Sequence, residues 1–109
     1  MVQIVELSEK ELSERQDYDH ILDTTRKFFQ QNYQDAYRID STSISIGIFP
    51  KDGLEGRLIV TPGTRRIDIN SPNELDIAVQ LATAYEGSIS GSEFKVKKNY
   101  VEPDLKEQD

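Results

Sequence analysis

The chain has 109 residues, 36% hydrophobic and 30% charged, enough for one core and not two, and its polarity confines that core to the middle of the chain. It has no cysteine, which excludes a disulfide framework, a thiolate metal site, a cysteine nucleophile and thiol redox chemistry. The net charge of −7 disfavours binding along a nucleic-acid backbone, where Lys and Arg supply most of the affinity.

Charge is unevenly placed. Residues 1–35 carry −4, residues 36–70 carry +1 and residues 71–109 carry −4, so the ends are acidic and the middle is about neutral. Such a distribution suits a basic partner, or solubility by self-repulsion. No apolar run approaches the roughly 18 residues that a membrane span needs, and Met1 to Glu6 lack a basic stretch followed by an apolar one. The expectation is a cytoplasmic protein with no signal peptide and no membrane partner.

Leu7-Ser8-Glu9-Lys10-Glu11-Leu12 has the form of a helix start: Ser8 as cap, Glu11 reaching back to the Ser8 amide, and Leu7 stapled onto Leu12. The apolar content fades over Ser13 to Asp17, so residues 8–17 read as a short separate helix or a frayed extension. From Tyr18 the spacing of Tyr18, Ile21, Leu22, Thr25, Phe28, Phe29 and Tyr33 follows helical period and predicts a core-packing helix over 18–33.

Tyr37 to Asp40 precede Ser43-Ile44-Ser45-Ile46-Gly47-Ile48-Phe49, whose alternation predicts a strand with Ile44, Ile46 and Ile48 on one face. The apolar phase shifts between Ile39 and Ile44, implying a bulge or break around Asp40-Ser41-Thr42. Residues 57–61 and 65–69 flank Pro62-Gly63, the signature of a type II turn, and predict a hairpin. Leu58, Val60, Ile67 and Ile69 would extend the isoleucine face.

Ser71-Pro72-Asn73-Glu74 forms a second capping box, with proline at the first helical position. Leu75, Ile77, Ala78, Val79, Leu81, Ala82 and Tyr85 make the helix that follows apolar over most of its surface, with Gly87 as its stop. The small or thin side chains of Ala78, Ala82, Thr83 and Ala84 let it lie close to a sheet. Ser88 to Ser92 read as a connection, and Phe94, Val96 and Tyr100 predict a fourth strand at an edge guarded by Lys95, Lys97 and Lys98. Residues 102–109 read as a disordered acidic tail.

The expected fold is therefore α+β, a three- to four-stranded antiparallel sheet with two helices packed on one face, in the order α-β-β-β-α-β within a single domain over residues 1–101. The run helix, strand, strand, strand, helix over residues 18–86 resembles the double-stranded-RNA-binding domain in element order. That resemblance implies a basic start to the second helix, which grips phosphate. Here Ser71-Pro72-Asn73-Glu74-Leu75-Asp76 carries two acids and neither Lys nor Arg.

Chemistry-bearing candidates are few. His20 is the only histidine, beside Asp19 and one turn from Asp23, and no Ser-His-Asp set can be named without geometry. The expectation is no catalytic residue, no metal site and no cofactor. Glu11, Glu14, Asp19 and Asp23, with Glu9 and Asp17, form an acidic face suited to a basic partner, interrupted by Lys10, Arg15, Arg26 and Lys27. Arg38, Arg57, Arg65 and Arg66 form the opposite candidate, a small positive patch on the sheet for bidentate capture of carboxylate or phosphate, unless Asp40, Glu55 and Asp68 pair with them across strands.

The function expected from these residues is a small acidic, non-enzymatic protein-binding module: an adaptor, accessory subunit or inhibitor of a protein partner. The chain is also expected to be able to form a homodimer through an edge strand or the first-helix face. The alternative is a nucleic-acid-associated domain using the arginine patch.

Overall fold

The computed structural model describes residues 8–51, 57–89 and 93–101. It is an α+β fold of two helices and a five-stranded mixed sheet: α1 Glu9–Asn32, β1 Tyr37–Ser41, β2 Ile46–Pro50, β3 Leu58–Thr61, β4 Arg66–Ile69, α2 Leu75–Ser88 and β5 Lys95–Lys98. The strands lie in the order β1-β2-β3-β4-β5. No helix of the described residues is long and apolar enough to cross a membrane.

Three expectations about the sheet are corrected. Residues 37–41 form a strand of their own, so four strands rather than three separate the helices, and the match in order to the double-stranded-RNA-binding domain lapses. The phase shift after Ile39 is a reversal. Thr42 closes it, its amide donating to Ser45 O at 2.8 Å and its hydroxyl accepting from the amides of Ile44 and Ser45 at 3.2 and 2.9 Å. Ile44 then sits at a turn tip and is 72% exposed, off the core face assigned to it. Finally, β5 runs parallel to β4, pairing Arg66 with Lys95 and Ile69 with Lys98. A helix of 14 residues covers about 21 Å, which carries the chain back to the end of the sheet where β4 began.

The hairpin of β3 and β4 is present, with Thr61 opposite Arg66, but its turn is different. Pro62 to Thr64 make a single 3-10 turn, and the left-handed residue is Arg65 (φ 52°, ψ 50°) rather than Gly63. In a four-residue loop that begins with a helical turn, the last position must reverse the chain into β4, and that position is Arg65.

Pairing registers align the inner face in two rows: Ile39, Ile48, Leu58 and Ile69 in one, and Ser41, Ile46, Val60, Ile67 and Val96 in the other. Both helices lie on this face. Ile21, Thr25 and Phe29 of α1, at successive four-residue steps, and Ala78, Leu81, Ala82 and Tyr85 of α2 are buried against it. Val79 is half exposed, so α2 has a wet side that its apolar composition does not suggest. On the outer face the Phe49 ring folds over Gly47, where a Cβ would meet it at 2.7 Å.

Residues 8–17 and 18–33 are one helix. Ser8 caps it, its hydroxyl accepting from the Glu11 amide at 3.1 Å, while the Glu11 carboxylate accepts from that hydroxyl and not from the Ser8 amide. The Leu7 half of the expected staple lies outside the described residues. At the second cap Glu74 turns inward, 2% exposed, and accepts from the Asn70 amide at 2.8 Å instead of the Ser71 amide. Helix α2 continues through Gly87 to Ser88, because the Ile89 amide still donates to Tyr85 O at 2.8 Å. The tail over 102–109, the Ser90 to Ser92 connection and the partner expected of Glu55 lie outside the described residues.

One polar link crosses the core. The Thr25 hydroxyl donates to Ile21 O at 2.7 Å, so the Tyr85 hydroxyl, 2.6 Å away, donates to Thr25. Burial pushes the Tyr85 phenol above its ordinary value of 10.0. A raised folded value means that the neutral phenol stabilises the fold fully below pH 10, and that this contribution is lost as pH rises beyond it.

Thr25→Val should cost about 1–3 kcal/mol by stranding a buried donor, and Tyr85→Phe about 0.5–1.5 kcal/mol, with the double variant costing less than the sum. Denaturant titrations of all three check this. In the wild type, ionisation of Tyr85 followed at 295 nm should coincide with unfolding. At the end of α1, Gln34 holds φ 50°, the place usually given to glycine. Gln34→Gly should therefore raise stability by about 0.5–1 kcal/mol in thermal melts.

Candidate functional site

Helix α1 is longer than the sheet it covers, and its first three turns overhang the β1–β2 and β3–β4 turns. Tyr18 anchors the overhang. Its hydroxyl lies against two carbonyl oxygens of the β1–β2 turn, Thr42 O and Ser45 O, the latter at 2.9 Å, and a single proton is shared between them. Burial is the main cause that pushes this phenol above its ordinary value of 10.0, so it holds the donated proton more tightly than a free tyrosine does.

Asp17 anchors the other side. Its carboxylate accepts from Arg65 Nη2 at 3.0 Å, and the same guanidinium sits 5.6 Å from the centre of the Phe94 ring and donates to Pro62 O at 3.4 Å. The left-handed backbone of Arg65 points its side chain inward to α1. The pair is less than half exposed on both sides, which makes it stronger than an ordinary surface bridge.

Between these anchors lies a cleft of about 690 Å³, lined by Glu11, Glu14, Arg15, Asp17, Tyr18 and Asp19 of α1, Thr42, Ser43 and Ile44 of the first turn, and Thr61, Pro62, Gly63 and Arg65 of the second. Four carboxylates and two guanidiniums border it, and Arg65 is already neutralised by Asp17. The cleft is therefore acidic, with an apolar lip at Ile44.

Of the acidic face expected from the sequence, Glu11, Glu14 and Asp19 line this cleft. Asp23 does not. It pairs with Lys27 at 3.0 Å on the exposed side of the helix. His20 is drawn to neither Asp19 nor Asp23, and its Nε2 meets Ser88 Oγ, which also contacts Thr24 Oγ1 at 3.2 Å, tying the middle of α1 to the end of α2. No group of three metal-ligating side chains occurs among the described residues.

The four arginines do not converge. Arg38 pairs with Asp40 at 3.1 Å and lies 5.0 Å from the centre of the Phe49 ring. Arg66 pairs with Asp68 at 3.2 Å. Arg65 leaves the sheet for α1. Arg38 on β1 and Arg66 on β4 are three strand spacings apart, about 14 Å. Arg57 precedes β3 at the end remote from the Thr61 and Arg66 pair, roughly 13 Å along the strand.

The cleft needs Thr42, Ile44 and Pro62 beside α1, and the sequence places these in a bulge or break, a core strand and a turn. Thr42 carried a usable signal, since a threonine two and three residues before amides that it can accept from marks a turn. The Asp17 and Arg65 pair, 48 residues apart, had none. Comparison of the chain with protein-family models, curated proteins and solved structures finds no match.

Tyr18→Phe should remove the anchor of the first turn, costing about 0.5–1.5 kcal/mol. Faster amide exchange confined to residues 42–46 and the start of α1 is the expected outcome, measured by hydrogen–deuterium exchange.

Proposed function

We propose that the protein is a non-enzymatic protein-binding module, and that the acidic cleft takes a basic segment of a protein partner bearing one apolar side chain. The observation that supports this most is the joining of Glu11, Glu14 and Asp19 with the exposed Ile44 around one concavity. Carboxylates on three successive turns of a helix give a charged wall that favours Lys and Arg and speeds encounter, while Ile44 offers an apolar contact that sets register. The nucleic-acid alternative has less support, because Arg38, Arg65 and Arg66 each hold a carboxylate already.

Fluorescence anisotropy with labelled peptides tests the proposal. A Lys/Arg-rich peptide with a central leucine should bind, and should weaken as salt rises. Replacing Glu11 and Glu14 by lysine should weaken it by roughly tenfold or more, and Ile44→Ser should weaken it with little change in salt dependence. Equal binding of acidic and basic peptides overturns the proposal.

A further inference from the structure

The two edges of the sheet are built differently. Strand β5 carries Lys95, Lys97 and Lys98 within four residues, the pattern that keeps an edge from pairing with another chain. Strand β1, Tyr-Arg-Ile-Asp-Ser, has no lysine and no proline, and among the described residues it is paired on one side only.

The phase of the β1–β2 ladder says which groups of β1 face outward. The flanking bonds, Lys51 N to Ala36 O at 2.9 Å and Thr42 N to Ser45 O at 2.8 Å, put the even-numbered residues in hydrogen-bonded pairs with β2. Consistently, Pro50, which has no N–H, stands opposite the odd-numbered Tyr37. The amide and carbonyl of Ile39, at the centre of the strand, therefore point away from the sheet.

We infer that two copies of this chain join through antiparallel pairing of β1 with β1 about a two-fold axis at Ile39, making one continuous ten-stranded sheet. The register follows from charge. With Ile39 opposite the partner's Ile39, Arg38 falls opposite the partner's Asp40 and Asp40 opposite the partner's Arg38, in close pairs between the hydrogen-bonded ones. A slip to the next allowed register in either direction puts Arg38 against Arg38 or Asp40 against Asp40, which repel.

Both side chains are placed for this role. Arg38 and Asp40 share the outer face, with side chains 61% and 53% exposed. Arg38 is held by the Phe49 ring, and its Nε alone serves its own Asp40, so the guanidinium keeps donors for a second carboxylate. On the inner face the half-buried Phe28, Tyr33 and Ile39 lie near the same edge, where two copies would cover one another.

Sedimentation velocity on the full chain, with circular dichroism to confirm folding, tests the inference. The wild type should sediment as a dimer of the 12.5 kDa chain, dissociating on dilution. R38D and D40R should each dissociate about tenfold or more readily than the wild type. An equimolar mixture of R38D with D40R should restore the dimer, because each then presents the charge the other needs. A wild type monomeric up to its solubility limit overturns the inference, as does a mixture no more associated than its components. Neither residue lines the cleft, so basic-peptide binding should survive both variants, and failure of one proposal is separable from failure of the other.

Discussion

The rows Ile39, Ile48, Leu58, Ile69 and Ile46, Val60, Ile67, Val96 leave water only if both helices cover the same side of the sheet. That requirement shapes the rest of the molecule. With α1 and α2 side by side on one face, the outer face keeps polar partners two residues apart along single strands, Arg38 with Asp40 on β1 and Arg66 with Asp68 on β4, and among the described residues β1 and β5 are the two end strands of the sheet. It also brings Thr25 against Tyr85, and this buried hydroxyl pair, with the contacts of His20 and Thr24 to Ser88, opposes sliding of one helix along the other, which apolar packing alone would tolerate.

The overhang of α1 follows from the same packing. The buried stripe Ile21, Thr25, Phe29 begins well after the helix does, and the turns from Glu9 to Gln16 are exposed. Two polar anchors hold this segment, the hydroxyl of Tyr18, whose ring packs at the edge of the core, on the first turn and Asp17 with Arg65 on the second. The cleft is the space between anchors, and its acidity is that of a helix segment exposed to water on every side but one.

Edges and outer face tell a related story. Lysines crowd β5, where a parallel pairing partner would otherwise extend the sheet, while β1 carries one arginine and one aspartate two residues apart. The first arrangement repels any copy of itself. The second is self-complementary in a single register, a property that two oppositely charged residues flanking a central apolar one acquire only when the strand reverses against itself.

Much of the fold was legible in local pattern. The cap at Ser8, the stripe from Tyr18 to Tyr33 and the alternation in 58–69 depend on neighbours within a few residues, and α1 and the hairpin formed where these signals lay, whereas Ser71-Pro72 opens a 3-10 turn without a side-chain cap bond and α2 begins at Leu75. The cap chemistry itself changed, since which amide Glu74 meets depends on the burial of its side chain. What distance in sequence hides is different. The parallel course of β5, the meeting of Asp17 with Arg65 and the reach of Tyr18 to the β1–β2 turn were decided by tertiary structure. Each joins residues whose separation along the chain carries no periodicity. Periodicity tells a strand which face is apolar, and only packing tells it which neighbour it has.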